Sequence, residues 1–133
     1  MGEPRVSGTL MDTSMVIRDV ESDPPTATAI SVITLGELRA GVRLGGDPSV
    51  RAERQARLAA IRDAFLPLPV DEAVAEHYGD ILAAARSSGR TTKATDLLII
   101  ATAAATGRVL WTLDERQATL ARAVGVAVAV PGD

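Results

Sequence analysis

With 133 residues, 47% of them hydrophobic, the chain is long enough to bury one core and short for two, so a single domain over 1–133 is expected. The absence of cysteine removes disulfides, thiolate nucleophiles and cysteine-ligated zinc, and leaves hard, oxygen-ligated cations such as Mg²⁺ or Mn²⁺ open to it. A net charge of -3 and only three aromatics, Trp111, Tyr78 and Phe65, argue against long-range capture of nucleic acid and against base-stacking platforms; with no signal-like start and no apolar run near membrane-span length, a cytoplasmic protein with no membrane contact is expected.

Val6 to Met11 reads as a strand ending at Asp12, and Thr13 to Asp19 as a short helix before the Ser22-Asp-Pro-Pro break. Ala27 to Val32 clusters small and β-branched residues into a second strand, after which Thr34 is placed to cap a helix running to about Leu44, ended by Gly45-Gly46. A third helix is expected from Pro48 to Ala64, with Val50, Leu58, Ile61 and Phe65 apolar and Arg51, Arg54 and Arg57 on the other face. Leu66 to Val70 is too rich in proline for the interior of a central strand and reads as a short strand leading into a helix capped by Asp71, which ends near Ser88-Gly89.

Asp96 opens the most apolar run of the chain, Leu97 to Ala105, a helix buried on most sides and terminated by Gly107. Val109 to Thr112 is expected as a central strand, Glu115 to Val124 as an amphipathic helix and Val126 to Val130 as a last strand. Strands alternating with helices imply a parallel sheet covered on both faces and joined by right-handed crossovers, with the ligand crevice beyond the carboxyl ends of the strands.

Four carboxylates fall where strands or turns hand over to helices: Asp12, Glu37, Asp96 and Asp114. Singly, each is explained as a helix cap or a first-turn acid; Asp96 or Thr95 would cap the buried helix and Asp114 the last one. Glu37 fits that account less well, because Gly41 one turn later leaves room for something to approach, although helix packing accounts for a glycine there too. Jointly the four sit among apolar and hydroxyl residues in a chain whose single lysine is Lys93, and gathered carboxylates are costly without a cation. Thr13, Ser14 and Thr112 carry hydroxyls beside them. His77 lies far from every one of these motifs and reads as an ordinary helix-face residue.

Four segments, Met11-Asp-Thr-Ser, Ile33-Thr-Leu-Gly-Glu-Leu-Arg-Ala-Gly41, Thr95-Asp-Leu-Leu-Ile-Ile-Ala101 and Leu110-Trp-Thr-Leu-Asp114, together resemble the PIN-domain family, and within it the toxin ribonucleases of VapBC toxin-antitoxin modules. The resemblance spans nearly the whole chain. It implies a three-layer α/β/α sandwich with a mainly parallel central sheet, and a metal-dependent endoribonuclease held inactive by a cognate antitoxin, with a homodimer as the expected assembly. It assigns Asp12, Glu37, Asp96 and Asp114 to one or two Mg²⁺ or Mn²⁺ ions that activate water against an RNA phosphodiester. Asp12 is the first choice as direct ligand, Asp96 and Asp114 come next, and Glu37 acts through water or accepts a proton. Arg39 and Arg43, one turn apart after Glu37, are candidate RNA-phosphate contacts, with solvated helix-face charge as the competing account, and the Arg51, Arg54, Arg57 stripe is open to RNA or an acidic partner.

The chain departs from the family after Asp114, where another acid and an aromatic are common and Gln117, Ala118 and Leu120 stand instead; Glu115 is the remaining candidate for that further acid. Two other functions stay open: a non-catalytic metal- and partner-binding module on the same fold, and a phosphohydrolase with Asp12 as covalent nucleophile, which would want a second acid where Ser14 stands.

Overall fold

In the computed structural model, which describes residues 8–18 and 27–131, five short strands form one parallel sheet in the order β3-β2-β1-β4-β5. The strands are β1 (Thr9–Met11), β2 (Thr28–Ser31), β3 (Leu66–Leu68), β4 (Val109–Trp111) and β5 (Val128–Ala129). Between them run α1 (Thr13–Arg18), α2 (Val32–Arg43), α3 (Pro48–Ala64), α4 (Glu72–Ser87), α5 (Ala94–Thr106) and α6 (Glu115–Ala123). Val6 and Ser7 of the expected first strand, Asp19 of the expected first helix and the Ser22-Asp-Pro-Pro break lie outside the described residues.

The pleat explains the layering. Leu10, Ala29 and Leu110 are partners across β1, β2 and β4 and join one apolar cluster, with Val74 and Ile81 of α4, Leu97 and Ile100 of α5 and Leu120 of α6. Their successors Met11, Ile30 and Trp111 point the other way and pack with Met15 and Val16 of α1, Ile61 of α3 and partly buried Leu35 and Leu38 of α2. Helices α4 to α6 therefore cover one face and α1 to α3 the other, the expected three-layer α/β/α sandwich.

Local chemistry sets most boundaries. Asp47 and Asp71 each accept a backbone hydrogen bond three residues on, from the Val50 and Val74 N–H at 3.0 Å, and cap α3 and α4. Gly107 closes α5 at φ 62, a conformation glycine adopts without strain. β3 pairs Pro67 against Ile30 at the edge of the sheet, where a missing N–H costs no ladder bond.

Two expected caps are corrected. α2 begins at Val32 with Ser31 as its cap, the Ser31 hydroxyl accepting from the Ile33 N–H at 3.0 Å. Thr34 instead lies inside the first turn, fully buried, with its hydroxyl turned to α1. α5 begins at Ala94 behind Lys93, which makes no side-chain cap bond, so neither Thr95 nor Asp96 is the cap. Asp96 sits one step further in, as a first-turn acid favoured by the helix dipole.

β1 and β4 lie side by side, and the chain leaves them toward opposite faces, into α1 on one side and α6 on the other. This parting opens the sheet at the carboxyl ends of its two middle strands, the place where parallel α/β sheets carry their ligands.

Candidate metal centre

Asp12 is the first residue after β1 and is 3% exposed. Its N–H donates to the Trp111 carbonyl at 3.0 Å, which locks it beside the end of β4. Both carboxylate oxygens are held by hydroxyls. Ser14 Oγ donates to Oδ1 at 2.6 Å while accepting from the Leu113 N–H at 3.1 Å. Thr112 Oγ1 donates to Oδ2 at 2.5 Å while accepting from the Asp114 N–H at 3.0 Å. Two relays thus run from the backbone after β4, through one hydroxyl each, to the two oxygens of one carboxylate. Oδ1 also accepts from the Met15 N–H at 3.2 Å. Burial nevertheless holds the Asp12 carboxyl above its ordinary range, with the Ser14, Thr112 and Met15 bonds pulling the other way.

Asp96 faces the same opening from the first turn of α5. Burial raises its carboxyl first, followed by the charges of Asp114 and Glu37, with Lys93 opposing and Asp12 adding a smaller push. The four acids that were separated by up to a hundred positions in sequence therefore share one electrostatic field.

Asp114 caps α6, its Oδ1 accepting from the N–H of Arg116 at 2.9 Å and of Gln117 at 3.3 Å. The cap reading and the cluster reading hold together here, since both cap bonds converge on one oxygen. Glu37 extends from α2, and its Oε1 accepts from Thr13 Oγ1 at 2.6 Å. Thr13 Oγ1 lies 3.0 Å from Thr34 Oγ1; with the Thr13 proton committed to Glu37, Thr34 donates to Thr13, and the chain of hydroxyls ties α1 to α2.

Two further side chains support the acids, Thr34, expected only as a cap, and Gln117, expected only as a departure from the family. Gln117 is 3% exposed, with Oε1 at 3.1 Å from Thr112 Oγ1 and Nε2 at 3.5 Å from the Asp96 carbonyl, so it stands between the elements bearing Asp12 and Asp96. The signal was available: a polar residue on the same face of α6 as Ala118, Leu120 and Ala121 must find a polar partner inside.

The arginines divide differently from the expected pattern. Arg39 Nη1 donates to Gln55 Oε1 at 2.8 Å, and Arg39 lines a groove with Arg62 and Asp63 that Glu37 does not enter. Arg43 is exposed in the last turn of α2, the end away from Ser31. The groove that Glu37 lines is shared with Ile17, Leu38, Gly41, Arg54 and Arg57. There Arg54 Nη1 donates to the Gly41 carbonyl at 2.7 Å, and Arg57 donates to the Val16 carbonyl, so two members of the α3 stripe pin that helix to α2 and α1. Glu115 is exposed at the start of α6, and His77 is exposed on α4, lining a groove with Arg108 and Gly125 away from the acids.

Among the described residues no three His, Cys, Asp or Glu side chains are grouped tightly enough to cage an ion unaided. The donor set still fits a hard divalent cation: Mg²⁺ keeps several waters and takes one or two carboxylates. A cation would also offset the burial that raises Asp12 and the burial and acidic neighbours that raise Asp96.

The PIN-domain family pattern matches residues 10–123. The chain belongs to the PIN-domain family. Among its relatives, ribonuclease VapC8 of Mycobacterium tuberculosis is 39% identical over 109 residues, covering 77% of this chain and 96% of that protein. A crystal structure of VapBC-5 from Mycobacterium tuberculosis, a member of the VapBC family of toxin-antitoxin systems, superimposes with TM-score 0.79 at 31% identity, covering 93% of this chain and 97% of that one. The crystal structure of FitAcB from Neisseria gonorrhoeae superimposes with TM-score 0.74 at 30% identity over 90% of this chain and 95% of that one. The family match and the VapC-type relatives agree with the PIN-domain resemblance read along the chain.

Proposed function

We propose that this PIN-domain protein is the toxin of a type II toxin-antitoxin pair, an endoribonuclease that hydrolyses RNA phosphodiesters with Mg²⁺ or Mn²⁺. The observation that carries the reading is Asp12: a buried carboxylate oriented on both oxygens by Ser14 and Thr112, whose charge reaches Asp96 together with those of Asp114 and Glu37. Relatives named as ribonucleases and structural neighbours named as toxin-antitoxin complexes support the substrate class and an antitoxin partner.

When bound, a divalent ion supplies a water of lowered pKa and offsets charge on the phosphodiester oxygens. Asp12 and Asp96 would hold it directly, with the free side of Asp114 next. Ser14 and Thr112 orient Asp12 by donating to it, and Thr13, backed by Thr34, orients Glu37 in the same way. Glu37, at the mouth of the groove it shares with Arg54 and Arg57, acts through water or takes a proton from it. Arg39 and Arg43 remain candidates for outer phosphate contacts, beyond the groove that Glu37 lines. A homodimer is the assembly proposed, and no helix among the described residues is long and apolar enough to cross a membrane.

The covalent phosphohydrolase reading is disfavoured because it wants a second acid two residues after Asp12, where Ser14 stands and donates to Asp12 Oδ1 at 2.6 Å. The test is cleavage of single-stranded RNA by the purified chain with Mg²⁺ or Mn²⁺, alongside Asp12→Ala and Asp96→Ala. Losses of about 100-fold or more are expected for each variant, as for removal of a principal charge-stabilising group. Cleavage that survives EDTA or both substitutions sinks the proposal. Tight Mn²⁺ binding without hydrolysis of any cellular RNA pool would favour the non-catalytic module.

A further inference from the structure

A second groove opens beside the acids and is built from the opposite charge. Arg90, Thr91 and Thr92 of the α4–α5 loop face Arg116, Thr119 and Leu120 of α6 across a volume of roughly 490 Å³. Among the described residues no carboxylate lines it, although the whole chain has 17 acids against 14 basic residues, and the two grooves on α2 and α3 carry Asp63 and Glu37. Its two walls begin at the helix starts that carry the site. Thr92 and Lys93 precede α5, in whose first turn Asp96 stands, and Lys93 is close enough to lower the Asp96 carboxyl. Arg116 follows Asp114 by two residues and its N–H is held by the Asp114 carboxylate at 2.9 Å.

Backbone contacts fix both walls. Gly89 closes α4 at φ 72, and the Arg90 N–H donates to the Ala85 carbonyl at 2.9 Å, which sets where the Arg90 side chain leaves the chain. On α6, Thr119 Oγ1 donates to the Glu115 carbonyl at 2.8 Å. Neither Arg90 nor Arg116 is buried, so both guanidinium forks can meet an oxyanion from solvent.

We infer that this groove is an RNA phosphate subsite, which holds a phosphate of the strand next to the one positioned at the acidic centre. The inference rests on the nuclease reading for the identity of the polyanion. An acidic centre repels a strand except at the phosphate its cation binds, so a neighbouring phosphate needs fixed positive charge within reach, and this carboxylate-free groove supplies it. An acidic peptide, which brings no phosphate to the centre, lacks that second anchor.

The experiment measures binding of a fluorescein-labelled single-stranded RNA 12-mer to the full chain in the Asp96→Asn background, across a salt series. Arg90→Ala/Arg116→Ala is expected to weaken binding about tenfold or more at the lowest salt, the loss of roughly one charge-assisted contact. The slope of log affinity against log salt should fall by about 0.7 to 1.4, the range for one to two single-strand phosphates. Arg86→Ala/Arg122→Ala removes the same charge at two exposed arginines that line none of the grooves described and should leave the slope intact. Arg90→Lys/Arg116→Lys should restore the slope with only part of the affinity, because a point charge replaces a fork. Equal slopes for the groove and control pairs would overturn the subsite, as would competition by polyglutamate as effective as by unlabelled RNA, which would reassign the groove to an acidic peptide. Mg²⁺-dependent cleavage by the unsubstituted chain with indifferent groove variants defeats the subsite alone, whereas groove-dependent RNA binding with no cleavage defeats the nuclease reading and leaves the subsite standing.

Discussion

Asp12 accepts hydrogen bonds on both oxygens and still has its carboxyl raised, because desolvation outweighs what Ser14, Thr112 and the Met15 N–H return. Asp96 is raised by burial and then by its acidic neighbours. For a carboxyl whose folded pKa lies above its unfolded value near 3.8, the stabilising contribution is complete below that value and is lost as pH rises through the folded pKa. At neutral pH and without metal, the cluster therefore works against folding. Asp96→Asn is expected to raise the urea midpoint of the metal-free protein at pH 7, to do so less at pH 5, and to lose its advantage when Mg²⁺ is added. Urea melts of both proteins at the two pH values, with EDTA and with Mg²⁺, check this; a variant less stable than its parent at pH 7 in EDTA would show the burden on Asp96 to be absent. The identities of these acids were legible in the sequence, since their type and their places at element boundaries are local facts. Their partners were not. Thr34 gains its role from a hydroxyl 21 positions away, and nothing local distinguishes it from a cap; the apolar face of α6 shows that Gln117 needs a polar partner but not that Thr112 is the one.

At the scale of elements, helices with a side-chain cap and a strong stop were readable end to end. Pro48 starts α3 and Asp71 caps α4 as expected, and Asp47 adds the α3 cap, because a cap is a contact across three residues. The errors came where two capping residues competed. Ser31 is the last residue of β2 and extended, so its hydroxyl captures the Ile33 N–H, and Thr34 is released to bridge α1. Gly41 was read as room for close approach; a Cβ there would meet nothing within 4 Å, and the groove it lines is open. Gly41→Ala should therefore stabilise α2 by about 0.5–1 kcal/mol through helix propensity and reduced freedom of the unfolded chain, as an increase in urea midpoint at unchanged m. Destabilisation would reveal a packing role that the groove does not suggest.

At the scale of the molecule, the five strands are two to four residues long, so stability rests on the layers around them. Ile100, fully buried in α5 between the sheet and its neighbouring helices, is a principal member of the larger cluster. Ile100→Ala is expected to cost about 2–5 kcal/mol, measured by denaturant melts with Mg²⁺ present and absent; a cost below about 1 kcal/mol would mean that the core refills the site. Hydrophobic periodicity, caps and turn residues act over a few positions, so the alternation of strands and helices, the edge character of β3 and the burial of α5 were all readable before any coordinates. Four short motifs in order were likewise sufficient to suggest the PIN-domain family. Strand order is another matter, because pairing β1 with β4 joins residues a hundred positions apart and depends on which faces the helices cover. That pairing brings Thr112 onto Asp12 and opens the sheet beside Asp96 and Asp114, while the packing of α2 on α3 sends Arg39 to one groove and Arg54 and Arg57 to another with Glu37. The chemistry available to this protein was thus written in residue types at local boundaries, whereas the choice of which groups meet belonged to long-range packing of the two layers on the sheet.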